Sequence, residues 1–268
     1  MARRDTIVTI IQADSRSTES ADILMMPLAG RPLIFRILER VQATKLSGRT
    51  VVVTTTRPED DEIDDYCRKE GFEVYRGHPD DLLERYYQAG RLYNADIVVK
   101  IPSSCPLIDP DVIDVVISAL LDAPGHYDYA SNLHPPTYPD GNDVEVLTME
   151  ALAKARELAG KTFERKNTTP FIWENPGSFN NLNVEWQSGL DYSLMYRLTV
   201  EYKEDYQFAR TIYDALYKRN KLFGLEEILN LLEFRPDIAS INAMHTGGNW
   251  RIHHMSGLGK LDSEPINI

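Results

Sequence analysis

Between residues 7 and 121, short apolar runs rich in β-branched side chains alternate with stretches of helical period. That alternation limits the fold more than any other feature of the chain. Residues 7–11 (I-V-T-I-I), 50–55 (T-V-V-V-T-T), 72–75 and 97–101 (I-V-V-K-I) read as buried strands. Between the first two, Pro32 opens a helix to about residue 44, with Leu33, Ile34, Ile37, Leu38 and Val41 on one face. A second helix starts on the acids Glu59, Asp60 and Asp61, which suit the positive end of a helix dipole, and stops before Gly71. Residues 82–92 and 112–121 read as two more helices. Strand–helix units of this length predict an α/β fold with a mainly parallel sheet and helices on both faces.

The pattern loosens after residue 125. Strands are predicted at 128–131, 144–147, 180–185 and 198–200, and helices at 149–158, 204–216 and 225–232, with Pro135, Pro136 and Pro139 breaking the middle. The expected organisation is one α/β domain over 1–242, a small protruding lobe at about 132–190, and an irregular tail over 243–268. A length of 268 residues suits such a domain. The net charge of −12 argues against nucleic acid as a partner, which needs a basic surface. No apolar run is long enough to span a membrane, and no apolar segment follows Arg3 and Arg4 as in a secretion signal. Two cysteines, Cys67 and Cys105, give no disulfide framework. A cytoplasmic protein is expected.

The loop after the first strand lies where open α/β sheets bind ligands, yet its charges are wrong for a polyphosphate. Asp14, Glu19 and Asp22 face one base, Arg16. With the hydroxyls of Ser15, Ser17, Thr18 and Ser20, this is either a rebuilt ligand site or a solvated loop, and the residues leave both open.

Several segments occur in a telling order: VTIIQA, PLAGRPLI, VVVTTTRPEDD, YRGHPDDLLERYYQA, CPLIDPDVID, YPDGNDVEV and TPFIWENP. Together they resemble the spore-coat polysaccharide biosynthesis protein F family, and through it the cytidylyltransferases that make CMP-activated acidic sugars. The resemblance runs from about residue 6 to about residue 216. It implies a Rossmann-like nucleotidyltransferase fold close to the GT-A glycosyltransferases, a homodimer formed through the lobe, and a role in sugar-nucleotide or surface-glycan biosynthesis. The implied ligand is a nucleotide or nucleotide sugar, with a sugar or glycoconjugate as co-substrate.

The family pattern after the first strand is roughly Q-A-R-x-x-S-T-R-L-P-x-K, and its cations hold the triphosphate. Here Gln12, Ala13, Ser17 and Thr18 match, while Asp14, Glu19 and Ile23 stand where the two arginines and the lysine would be. The family's G-D-C-P-L-I-D-P, whose Asp binds magnesium, becomes Ser103-Ser104-Cys105-Pro106-Leu107-Ile108-Asp109-Pro110. Magnesium is thus expected to lose its usual ligand at Ser104. Glu201 stands where the family has a second Asp and is a possible metal contact, and Asn167 stands where it often has His. The residues expected to hold a nucleotide are Gln12, Ala13, Arg16, Ser17, Thr18, Arg76, Arg85 and Ser104. Asp143, Glu145 and Glu201 are expected to do chemistry or bind sugar hydroxyls; Asp143 and Glu145 are two apart and so share a strand face.

Three classes stay open: a nucleotidyltransferase with unusual phosphate handling, a metal-independent glycosyltransferase-like enzyme using a nucleotide sugar, and a non-catalytic binding protein. Cys105 reads as a packed residue. His245, His253 and His254 are poorly spaced for zinc, and Trp173 and Trp186 read as packing or interface residues.

Overall fold

The structure, a computed structural model, describes residues 5–14 and 23–247. Its first half follows the alternation in the sequence. Strand β1 (Ile7–Gln12) leads to a hairpin of β2 (Pro27–Leu28) and β3 (Arg31–Pro32), then to helix α1 (Leu33–Gln42). The hairpin turns through Ala29 and Gly30, both at positive φ (48° and 82°). Next come β4 (Arg49–Thr55), α2 (Asp61–Lys69), β5 (Glu73–Gly77), α3 (Leu82–Leu92), β6 (Ile97–Pro102) and α4 (Pro110–Leu121). Asp81 caps α3 and Asp109 caps α4, each accepting a backbone N–H from its first turn.

The second half adds β7 (Tyr129–Ser131), β8 (Glu145–Thr148), α5 (Met149–Leu158), α6 (Thr162–Asn167), α7 (Pro170–Trp173), β9 (Asn181–Asn183), α8 (Lys203–Leu216), α9 (Leu225–Phe234) and α10 (Pro236–Ala239). One sheet of order β5-β4-β1-β6-β8-β7-β9 runs through the protein. Its pairings are parallel except at β8, which is antiparallel to both β6 and β7.

The period of two along each strand sorts the core into two layers. Ile11, Val52, Val74, Val99 and Val146 point to the face covered by α1, α4, α8 and α9. Val8, Ile10, Val51, Val53, Val98 and Leu147 point to the face covered by α3 and α5. Helices on both faces and a mainly parallel sheet agree with the expected architecture.

The predicted strand at 198–200 does not form. Residues 198–200 run extended, with a single bridge at Arg197 to Asp140, because their N–H groups go to loop carbonyls rather than to a strand. The strand expected over 180–185 shortens to Asn181–Asn183. Among the described residues, no helix is long and apolar enough to cross a membrane.

Candidate functional site

The parallel strands β1 and β6 end side by side, with Gln12 in register with Pro102. Because β8 is antiparallel, its first residue, Glu145, sits directly across from Lys100 at this same edge. Here a cavity of about 190 Å³ opens, floored by Gln12, Lys100, Ser103 and Ser104. This is the carboxyl-end crevice where α/β sheets collect ligands.

Two loops wall it. One carries Asp140 and Asp143 before β8 and is fastened to residues 198–200 by Leu198 N, which donates to Asp140 O at 2.6 Å, while Val200 N ties the same stretch to Ser104 O on the floor at 2.7 Å. Gly141 makes this approach possible. Its φ is +100°, and a Cβ there would lie 2.5 Å from the Leu198 carbonyl carbon and the Thr199 nitrogen. The other wall is the α6–α7 turn, which contributes Asn167, Thr169 and Trp173. The Trp173 ring stacks on His134, centroids 4.7 Å apart.

Two cations line the cavity, in different conditions. Arg197 is buried and donates to Asp140 at 3.2 Å, to Glu201 at 2.7 Å and to both oxygens of Asp205 at 3.1 Å. Asn242 completes the cluster by donating to Asp205 and to the Arg197 carbonyl, both at 2.9 Å. Among the described residues, Lys100 pairs with Glu145. That carboxylate also accepts from the Tyr129 hydroxyl at 2.6 Å. Burial opposes the charge on Glu145, but the Lys100 ammonium, helped by Thr169 and Tyr129, outweighs it and holds the carboxyl below its ordinary range.

The remaining acids are crowded. Asp143 is half-buried and lines the cavity, and its Oδ1 accepts a 3.2 Å bond from Gly141 N. Burial, with Glu145 and Glu201 adding repulsion, pushes its carboxyl up to about 6, although the Gly141 bond and Lys100 oppose the shift. Asp140 is raised well above the usual carboxylate range by burial and by Asp143, against the pull of Arg197.

The structure therefore brings Gln12, Ser104, Asp143, Glu145 and Glu201 to one cavity. It places the other expected residues differently. Ala13 is buried and gives its N–H to Val53 O at 3.0 Å, so it has no donor left for a nucleotide. Arg85 is buried and locked to Asp14 at 2.8 Å and to the His78 carbonyl at 3.0 Å. Asp14 is thus a neutralised partner of α3 rather than a loose negative charge. Arg76 is spent on Asp61 at 2.5 Å and on the carbonyls of Thr55 and Arg57. Glu145 lines the cavity as the fixed partner of Lys100 and Tyr129, not as a carboxylate free to take a proton. Arg16, Ser17, Thr18, Glu19 and Asp22 lie outside the described residues, as do His253 and His254. His245 stacks on Tyr202 with centroids 4.2 Å apart and meets Glu204 at 3.2 Å.

Among the described residues, the donor set does not fit a magnesium ion held by side chains. Ser104 offers a hydroxyl, Glu201 is committed to Arg197, and among the described residues no three His, Cys, Asp or Glu converge as ligands. Cys105 is buried with its thiol pushed well above the ordinary range by desolvation, so it is no nucleophile.

Sequence reading passed over Lys100 and Arg197. The signal for Lys100 was one cation inside an otherwise apolar strand; for Arg197 it was a cation bordering an apolar run. A larger groove of about 680 Å³ lies elsewhere, between Trp186, Tyr192 and Tyr196 on one side and Leu225 and Leu229 of α9 on the other. Its aromatic and acidic lining lacks the strand-edge position and the cations of the smaller cavity.

Comparison with known proteins agrees with this fold. The sequence model of the family described as cytidylyltransferase matches residues 8–242. An uncharacterised protein of Methanocaldococcus jannaschii is 31% identical over 88% of this chain and 94% of its own length. The spore coat polysaccharide biosynthesis protein SpsF of Bacillus subtilis is 27% identical over 87% of this chain and 97% of its own. A solved cytidylyltransferase from Leptospira borgpetersenii superposes with a TM-score of 0.82 at 26% identity, covering 88% of this chain and 97% of that one. With the family match running from the second residue of β1 to Asn242, which braces Arg197 at the cavity, the chain belongs to the cytidylyltransferase family.

Proposed function

We propose that this chain binds a nucleotide or nucleotide sugar in the strand-end cavity and works in sugar-nucleotide or glycoconjugate biosynthesis, as a homodimer. The observation that carries the reading is the meeting of Gln12, Ser104, Asp143 and Glu201, from four separate segments, at the carboxyl edge of β1 and β6. Ligands gather at such edges, and polar groups converging there are the usual mark of a small-molecule site. The family and its named relatives supply the class of ligand. The donor set supplies a restriction: binding does not depend on magnesium held by side chains, and pyrophosphate release from CTP is slow.

A thermal-shift panel tests this. CTP, CMP, UDP-sugars and GDP-sugars are each added with and without magnesium. A ligand at about 100 times its Kd adds roughly 2.7 kcal/mol, a rise of about 5 °C for a protein of this size. A cytidine nucleotide or nucleotide sugar should raise the Tm, to the same extent without magnesium. No shift with any member of the panel would contradict the assignment. A rise only with magnesium would contradict the restriction.

A further inference from the structure

We propose that Lys100 receives an anionic oxygen of the bound ligand, a phosphate or a carboxylate. The inference rests on reading the strand-end cavity as the ligand site, and it adds the residue that recognises charge there.

Three observations lead to it. First, the described cations that the resemblance would assign to phosphate are consumed elsewhere: Arg85 by Asp14 and two backbone carbonyls, Arg76 by Asp61 and two carbonyls. Arg197 reaches the cavity but is divided among Asp140, Glu201 and Asp205. Second, Lys100 is unsaturated. An ammonium has three N–H donors, and among the described residues Glu145 is its hydrogen-bond partner. The side chain lines the cavity and is only 13% exposed, so the cavity is where its remaining donors can find a partner. Third, the Lys100–Glu145 pair is costly to keep for stability alone. Its partners are 13% and 6% exposed, and a buried ion pair is often no better than an apolar pair of the same volume. In strand β6 an apolar residue at position 100 would continue the surface of Val98 toward α3 and α5.

The neighbouring turn reinforces the geometry. Thr169 N donates to Asn167 O at 2.9 Å, closing a γ-turn centred on Thr168 with φ +72° and ψ −57°. This form of the turn is rare and strained, more so for a β-branched residue. The Thr168 hydroxyl is buried and has no partner among the described residues. Strain of this kind gathers where side chains must be aimed. Here it aims Asn167 and Thr169 into the cavity, and Thr169 helps keep Glu145 ionised opposite Lys100.

The test is calorimetric titration of the full chain with cytidine, CMP and free 3-deoxy-manno-octulosonate. Wild type is compared with Lys100→Met, Lys100→Arg and the double variant Lys100→Met with Glu145→Gln, which leaves no unpaired buried charge. Circular dichroism melting checks the fold of each. If the oxygen is a phosphate, both Met variants lose about tenfold or more in affinity for CMP and nothing for cytidine. If it is a carboxylate, they lose that factor for the sugar acid and keep CMP. Lys100→Arg retains most of the affinity in either case. Folded Met variants that bind every ligand the wild type binds, within about twofold, overturn the assignment of Lys100 and leave the cavity reading intact. A wild type that binds none of the three overturns both.

Discussion

Asp143 is held in an unfavourable state by its surroundings. Glu145, Glu201 and Asp140 repel its charge, Lys100 and the Gly141 N–H partly offset them, and burial tips the balance toward the neutral form. Its carboxyl moves from an ordinary 3.8 to about 6. The native state therefore holds more protons than the unfolded chain between about pH 4 and 6, and stability falls as pH rises through that window. The full shift corresponds to ~3 kcal/mol against the ionised form; because part of the side chain stays in water, ~1–2 kcal/mol is the better figure. Asp143→Asn keeps the shape and the bond from Gly141. It should raise the Tm at pH 7 to 8 by a few degrees, with the gain vanishing toward pH 4, and it should weaken ligand binding. Melting curves across that range check it. A lower Tm at pH 7 would mean that the charge on Asp143 stabilises the fold.

At the scale of elements, the first half of the sheet was legible because each strand alternates its faces and each helix shows its stripe. The second half was legible in part. Residues 198–200 have the composition of a strand, but their N–H groups are taken by Asp140 and Ser104, so tertiary contacts overrode local preference. The resemblance pointed to Ser104 for a nucleotide and to Asp143 and Glu201 for chemistry or sugar hydroxyls, and the three line one cavity, which the sheet order alone does not reveal. It did not reveal that Arg85 would turn to Asp14, since a buried ion pair between the segment after β1 and α3 depends on the distance between two stretches far apart in sequence. Nor did it reveal the γ-turn between α6 and α7, because Asn-Thr-Thr-Pro names no turn that needs positive φ. That turn yields its own prediction. Thr168→Gly removes strain of order 1–3 kcal/mol and a buried hydroxyl with no partner among the described residues, against the loss of two buried carbons, about 1.5 kcal/mol, and added unfolded-chain entropy of about 1 kcal/mol. The net should be about 1 kcal/mol of added stability, a rise of roughly 2–4 °C in Tm. A fall in Tm would show that the turn is not strained.

At the scale of the whole molecule, the family frame is kept and the described cations are rearranged within it. Arg85 and Arg76 brace the scaffold, Arg197 ties the Asp140 loop to Glu201 and to Asp205 of α8, and Lys100 is the described cation left lining the cavity with a single acidic partner. The aromatic groove beside α9 offers a nucleobase an alternative place to stack, since Trp186, Tyr192 and Tyr196 line it. The central claim is that the nucleotide binds at the strand ends and not in that groove. A crystal structure of the complex with CMP tests it most directly. The account predicts density for the nucleotide against Gln12 and Ser104, with an anionic oxygen of the ligand within hydrogen-bonding distance of the Lys100 ammonium. CMP seated between Trp186 and Leu229, with the strand-end cavity left to water, would contradict it.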